Sequence, residues 1–88
     1  MTLELELDIM LIGESRIINS LIESIKPDNI FAPKNISIIE KVDDETGLII
    51  IKSKIKDPKD ILRFRNTVDD ILEHIIIGLK VLKSVKDN

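Results

Sequence analysis

The sequence predicts an α+β fold in which a three-stranded antiparallel sheet carries two helices on one face. Three observations predict this class. Apolar and acidic residues alternate near the N-terminus, two Ile-rich segments flank a polar turn, and the stretch from Asp57 to about Lys86 repeats apolar residues at helical spacing. The predicted order is strand, helix, strand, strand, helix. A chain of 88 residues fits a single domain spanning 1–88.

The first strand is predicted by Leu or Ile at each odd position from 3 to 11, mostly alternating with Glu or Asp, which gives one buried face. After Gly13, apolar residues recur at helical spacing up to Lys26, and Pro27 ends this first helix. Residues 27–35 contain two prolines and predict a loop, in which we expect Ile30 and Phe31 to pack under the core.

The second and third strands are predicted at Ile36 to Val42 and at Leu48 to Ile55. The polar turn between them ends in Gly47, a residue that can adopt a positive φ. Both faces of this hairpin carry isoleucine, whereas a sheet with one solvent-exposed face shows polar residues on that face. Three strands also leave open edges that can pair with another chain. We therefore expect the chain to have an obligate partner.

The closing helix is predicted to begin at the N-cap Asp57, with Pro58 in the first turn and the negative charge of Asp60 near the helix start. Its helical spacing predicts one broad buried face made of Ile61, Phe64, Val68, Ile71, Leu72, Ile75, Leu79 and Leu82. A second apolar strip lies on the far side, at Ile77 and Val81 with Val85 at its border. Nearly thirty helical residues span about 43 Å, and strands of about nine residues span roughly 30 Å. The helix should therefore overhang its sheet, and the second strip should bind a partner.

Composition argues against catalysis. The chain has no cysteine, only two aromatic residues and a formal charge of -3. His74 is the single histidine and has no diagnostic base–nucleophile arrangement around it. A small enzyme or ligand-binding domain would need a deep pocket around His74 or Arg65. We expect no enzyme, no cofactor, no metal and no small-molecule substrate. No apolar run reaches about 18 residues, so we expect a cytoplasmic protein that does not bind membranes.

The densest basic residues are the candidates for contact with RNA: Arg63, Arg65, Lys52, Lys54 and Lys56. They would form a phosphate-binding surface if they converge. The competing interpretation is that the lysines form a solvated edge that opposes aggregation. A free-standing RNA-binding domain is thus an alternative function, although the net acidity and the scarcity of aromatic residues oppose it.

The segment from Arg65 to Ile75, R-N-T-V-D-D-I-L-E-H-I, resembles a family pattern of Arg, three residues, Asn and an apolar-rich helix. The family is the small Pcc-type subunit of the KEOPS complex, which installs threonylcarbamoyl groups on tRNA adenosine beside the anticodon. Arg65 matches the family arginine. Asp69 stands where the family usually has asparagine, and His74 where it often has tryptophan. Chain length and element order are also similar.

The resemblance implies a non-catalytic accessory subunit. Such a subunit binds the catalytic transferase subunit through its helices and assists tRNA binding within the complex. It also forms a dimer with itself or with a paralogue, in which the sheets of the two subunits join. The partner-binding residues predicted from the resemblance and the second apolar strip together are Arg65, Asp69, His74, Ile76, Ile77 and Val81.

Overall fold

The computed structural model describes residues 3–26 and 32–86. The elements are β1 (Leu3–Ile12), α1 (Ser15–Ser24), β2 (Ile36–Asp43), β3 (Thr46–Ile55) and α2 (Pro58–Lys86). The three strands form one antiparallel sheet in the order β1-β3-β2. The predicted α+β class and the predicted order of elements are confirmed. Pro27, Ile30 and Phe31 lie outside the described residues, so the packing expected of the loop stays a prediction.

The core lies between one face of the sheet and the two helices. The central strand β3 has the strongest alternation, with Ile49, Ile51 and Ile55 buried on the helix side. Both helices pack on this same face. The buried residues that form one apolar cluster are Ile18, Leu21, Ile22 and Ile25 from the α1 region, Ile36, Ile49 and Ile51 from the sheet, and Ile71 and Ile75 from α2.

The hairpin turn is tighter than predicted, and the role expected for Gly47 is wrong. Asp43 pairs with Thr46, so the turn consists of two residues and Gly47 lies inside β3. Its φ is not positive. A Cβ atom at this position would lie 2.7 Å from Cγ2 of Ile18. Glycine is therefore required because α1 crosses the sheet directly above it, and not because of the turn.

The start of α2 follows the prediction and adds a second cap. The backbone N–H of Lys59 donates to Oδ1 of Asp57 at 2.8 Å, as expected of an N-cap. Asp60 reaches back, and its Oδ2 accepts hydrogen bonds from the backbone N–H groups of Lys56 at 2.9 Å and Asp57 at 3.3 Å. These backbone hydrogen bonds, with the nearby Arg63, hold the pKa of the buried Asp60 below its ordinary value.

The buried face of α2 is rotated from the predicted one. Ile61, Leu72 and Leu79 were expected in the core, but 46%, 41% and 47% of their surface is exposed. The residues of α2 that face the core instead include Asp60 and Thr67, which are buried, and Gly78. Asp60 is held inward by its hydrogen bonds, and a Cβ at Gly78 would lie 3.0 Å from Leu21 of α1. These polar and small residues fix the rotation and turn an apolar flank outward.

The length of α2 makes the molecule elongated. Its 29 residues correspond to about 43 Å of helix, whereas the ten residues of β3 span about 33 Å. The described part of the chain measures 52 × 22 × 17 Å along its principal axes. The predicted overhang of the helix beyond the sheet is consistent with these dimensions.

Candidate functional site

The second apolar strip of α2 is exposed as predicted. Ile77 and Val81 have 51% and 57% of their surface accessible, on the C-terminal half of the helix. His74 lies one turn before Ile77 on the same flank and is half-buried. Its Nδ1 is 2.8 Å from the carbonyl oxygen of Asp70. Because a carbonyl oxygen can only accept, Nδ1 carries the proton and this histidine is held against its own helix. The side chain of Val85 lies outside the described residues.

The other three predicted partner residues lie on a different flank of α2. Successive helix residues are separated by about 100°, so Arg65, Asp69 and Ile76 project together, well away from Ile77 and Val81. All three are exposed. The structure therefore brings the six predicted partner residues onto two flanks of one helix rather than into one patch.

The flank of α2 that carries Ile61, Leu72 and Leu79 is directed toward β1. Arg63 and Asn66, on the opposite flank, line a cleft together with Pro33. The residues after Pro33 lead into β2, at the sheet edge farthest from β1. The apolar flank therefore lies on the β1 side of the helix.

Strand β1 is poorly covered by the helices. Leu3 and Leu7 point to the helix side because they pair with the buried Ile55 and Ile51 of β3. They nevertheless remain 56% and 38% exposed. The inner face of β1 and the outward flank of α2 lie on the same, helix side of the sheet, and we call the exposed apolar surface that they present the β1–α2 groove. Its residues are Leu3, Leu7, Ile61, Leu72 and Leu79.

The opposite face of the sheet carries an apolar patch at its turn end, as the hairpin pattern predicted. Met10, Ile12 and Ile39 are exposed there, beside the half-buried Leu48 and Ile50. Toward the other end the same face becomes charged, and Nζ of Lys52 lies 3.5 Å from Oε1 of Glu6. A partner that contacts the turn end of this face would not displace the Lys52–Glu6 ion pair.

The candidate RNA-binding residues converge in part. Lys54, Lys56 and Arg63 line a cleft of about 460 Å³ together with Lys34. Acidic residues share the same cleft, since Nη1 of Arg63 lies 3.3 Å from Oδ1 of Asp60. Lys52 is paired with Glu6 on the open sheet face, and it lines a neighbouring cleft that also includes Lys34 and Lys54. The basic residues therefore lie on adjoining clefts, and two of them, Lys52 and Arg63, are partly neutralised by acidic neighbours.

A small enzyme or ligand-binding domain was expected to have a deep pocket around His74 or Arg65. Neither His74 nor Arg65 lines the clefts described above. Within residues 3–26 and 32–86, no group of three or more His, Cys, Asp or Glu side chains is placed to hold a metal ion. Over the same ranges, no helix is both long enough and apolar enough to cross a membrane.

Comparison with known proteins gives no further assignment, because no protein-family model, curated protein or solved structure matches the chain.

Two features of the surface were missed by the sequence reasoning. The first is the β1–α2 groove, although the apolar arc on α2 was already wider than a two-helix, three-strand core needs. The second is the contribution of Lys34 and Asn35 to the basic cleft. Asn35 donates from Nδ2 to Oδ1 of Asp60 at 3.3 Å, which ties the start of β2 to the start of α2. No local sequence pattern predicts this hydrogen bond, because its two residues are far apart in the chain.

Proposed function

We propose that this chain is a non-catalytic protein-interaction module that acts as an accessory subunit of a KEOPS-type tRNA threonylcarbamoylation complex. In this role it binds the catalytic transferase subunit, forms a dimer with itself or with a paralogue, and assists tRNA binding within a cytoplasmic assembly. The family part of this proposal rests on the resemblance of the segment from Arg65 to Ile75. The interaction part rests on the surfaces described above.

The observation that carries the proposal is the exposure of apolar side chains on α2. Ile76, Ile77 and Val81 each have more than half of their surface accessible on a helix that is longer than the strands of its own sheet. Single exposed apolar residues are ordinary on monomers. Here they lie on both flanks of one long helix, which is typical of a helix that docks into a bundle with partner helices.

The charged residues on the other flank of α2, beside Ile76, fit a docking role better than catalysis. Arg65 and Asp69 are exposed one helical turn apart, beside the apolar flank that includes Leu72 and Ile76. A guanidinium group at the rim of an apolar contact can hold a partner carboxylate through two parallel hydrogen bonds. Asp69 can accept hydrogen bonds from a partner but donates none when ionised. This pair would set the register of the docked helix.

The proposal is tested by replacing Ile77 and Val81 together with Asp. Both side chains are exposed, so the free energy of unfolding should fall by no more than about 1 kcal/mol. Two carboxylates in an apolar contact would lack partners there, and binding to the transferase subunit should be abolished. The measurement is co-purification of the transferase subunit with the tagged variant, beside circular dichroism of the isolated chain.

A matched control adds the same charge elsewhere. Asn19 and Ser20 are exposed polar residues of α1, and their joint replacement with Asp should leave partner recovery unchanged. If the Ile77 and Val81 variant recovers as much transferase subunit as the wild type, the docking role of this strip is wrong.

The convergence of Lys34, Lys54, Lys56 and Arg63 in one cleft favours a second candidate, a free-standing RNA-binding domain. This candidate predicts that the isolated chain binds tRNA and that its affinity falls steeply with salt, because each neutralised phosphate releases counterions. Filter binding between about 50 and 200 mM salt measures this slope. A chain that binds tRNA only when assembled with its partner supports the accessory role instead.

A further inference from the structure

The free edge of β1 offers a complete strand for pairing. Among the described residues, β1 pairs with β3 on one side over its full length, Leu3 to Ile12, and with no strand on the other. Half of its backbone N–H and C=O groups therefore face outward and are available to an added strand. The other edge strand, β2, is less suitable. It lies under α1, and Glu40 points to its helix side, where an inward charge opposes edge pairing.

The charges of β1 specify what can pair there. Glu4, Glu6 and Asp8 line its outer face, opposite the helices. On the β3 side, Glu4 pairs with Lys54 and Glu6 with Lys52, so the one strand already seated against β1 presents lysine to these carboxylates. Opposite charges placed directly across two strands stabilise the pair, and like charges destabilise it. The free edge of β1 should therefore favour an added strand that places basic residues opposite these carboxylates.

A second copy of β1 does not meet this requirement. Antiparallel pairing that keeps the apolar face continuous about Leu7 places Glu6 opposite Asp8 twice. Shifting the centre to Asp8 places this residue opposite itself. Parallel pairing in register stacks the whole acidic row on its own copy. The charge pattern therefore disfavours a homotypic contact in these registers. In the antiparallel register centred on Ile9, Glu6 faces Ile12 and Asp8 faces Met10, so like charges are avoided but the carboxylates still gain no basic partner.

The apolar side chains of an added strand would also have a surface to pack against. Alternate residues of a fourth strand would point to the helix side, into the β1–α2 groove beside Leu3 and Leu7. The outward flank of α2, at Ile61, Leu72 and Leu79, belongs to the same exposed surface. Aliphatic side chains placed there would cover surface that the chain's own helices leave open.

We propose that β1 and the β1–α2 groove bind an extended segment of a different protein, in which aliphatic residues alternate with Lys or Arg, added as a fourth strand. This inference goes beyond the proposed function and does not depend on the Ile77 and Val81 strip. Failure of one proposal therefore leaves the other in place.

The test uses the full 88-residue chain and two synthetic nine-residue peptides, one alternating Val with Lys and the other alternating Val with Glu. Fluorescence anisotropy of labelled peptide measures affinity, and amide hydrogen exchange locates the contact. We expect the Val/Lys peptide to bind at least about tenfold more tightly than the Val/Glu peptide, with affinity falling as salt rises. It should slow exchange at those β1 amides that face away from β3.

Matched variants separate the contribution of the β1 charges to peptide binding from the contribution of the β1–α2 groove. Replacing Glu4 and Glu6 with Gln should weaken the Val/Lys peptide about two- to fivefold per substitution. Replacing Asp44 and Glu73 with Asn and Gln changes the net charge equally at distant sites and should leave binding unchanged. Replacing Leu7 with Ser should weaken the peptide while preserving its preference over the Val/Glu peptide.

Three results would overturn the inference. The first is equal affinity for the two peptides. The second is exchange protection that falls on another element. The third is self-association of the chain alone that protects the outward β1 amides, which would identify the occupant as a second copy.

Discussion

Replacing Gly47 with Ala tests the packing that the structure assigns to α1. The added Cβ would lie 2.7 Å from Cγ2 of Ile18 and 3.3 Å from Cδ1 of Ile22. Carbon atoms in ordinary contact are separated by about 3.5–4.0 Å, so α1 must move by roughly 1 Å. Three buried residues of α1 hold it in the core and resist this shift: Ile18, Leu21 and Ile22.

Two effects of opposite sign decide the magnitude. Overpacking a core typically costs about 1–3 kcal/mol. Against this, Ala is better than Gly inside a strand by about 0.5–1 kcal/mol, because it loses less conformational freedom on folding. The φ of Gly47 is not positive, so Ala meets no backbone strain. We expect a net destabilisation of about 1–2 kcal/mol, which lowers Tm by about 5–15 °C in a domain of this size.

Urea unfolding followed by circular dichroism measures this change at an unaltered m-value. Gly13 supplies the control, because a Cβ added there meets no atom within 4 Å. Gly13→Ala should be neutral or slightly stabilising. Ile18→Ala removes the clashing methyl group, so the Gly47→Ala and Ile18→Ala changes should be coupled by about 1 kcal/mol or more in a double-mutant cycle. A Gly47→Ala variant as stable as the wild type would refute the close approach of α1.

The remaining predictions concern the core and the cap of α2. Ile71 is fully buried, so Ile71→Ala should lower the free energy of unfolding by about 2–5 kcal/mol in urea, whereas Ile76→Ala on the exposed flank should change it by less than about 0.5 kcal/mol. The pKa of Asp60 is lowered in the folded state, so its carboxylate stabilises the fold fully above its unfolded pKa of about 3.9, and this contribution is lost as pH falls through the lower folded pKa. Asp60→Asn should therefore lower Tm at pH 7 and flatten its decline below about pH 5; unchanged melting curves at both pH values would contradict the role of this cap.

The order of elements was predictable because each has a local signal. The alternation of β1 and the Asp57-Pro58 start of α2 are patterns within a few residues of one another, and both are confirmed. The hairpin was predicted for the same reason, with apolar residues at its turn end on both faces. Local periodicity is sufficient for these features since it depends only on which face of an element is apolar.

The rotation of α2 was not predictable from periodicity. The helix has apolar residues over a broad arc, and the pattern alone favoured Ile61, Leu72 and Leu79 as core residues. Their exposure follows from contacts with distant parts of the chain: Asp60 with Asn35, and Gly78 beneath Leu21. Gly47 was misread for a similar reason, because its neighbour in space is Ile18 and not the turn.

The candidate site was predicted in part. Ile77 and Val81 were expected to be exposed, and they are. The division of the partner residues between two flanks was not expected, because the sequence does not show which arc faces the sheet. The β1–α2 groove depends on the rotation of α2 about its axis. It also depends on how much of the three-stranded sheet the two helices cover.

The most direct measurement for the account as a whole is affinity purification of the tagged chain from its native cell, followed by mass determination of the intact complex. We predict recovery of the catalytic threonylcarbamoyl transferase subunit, and its loss when Ile77 and Val81 are both replaced with Asp. Recovery of the chain alone, or of the same assembly with the doubly substituted chain, would contradict the account.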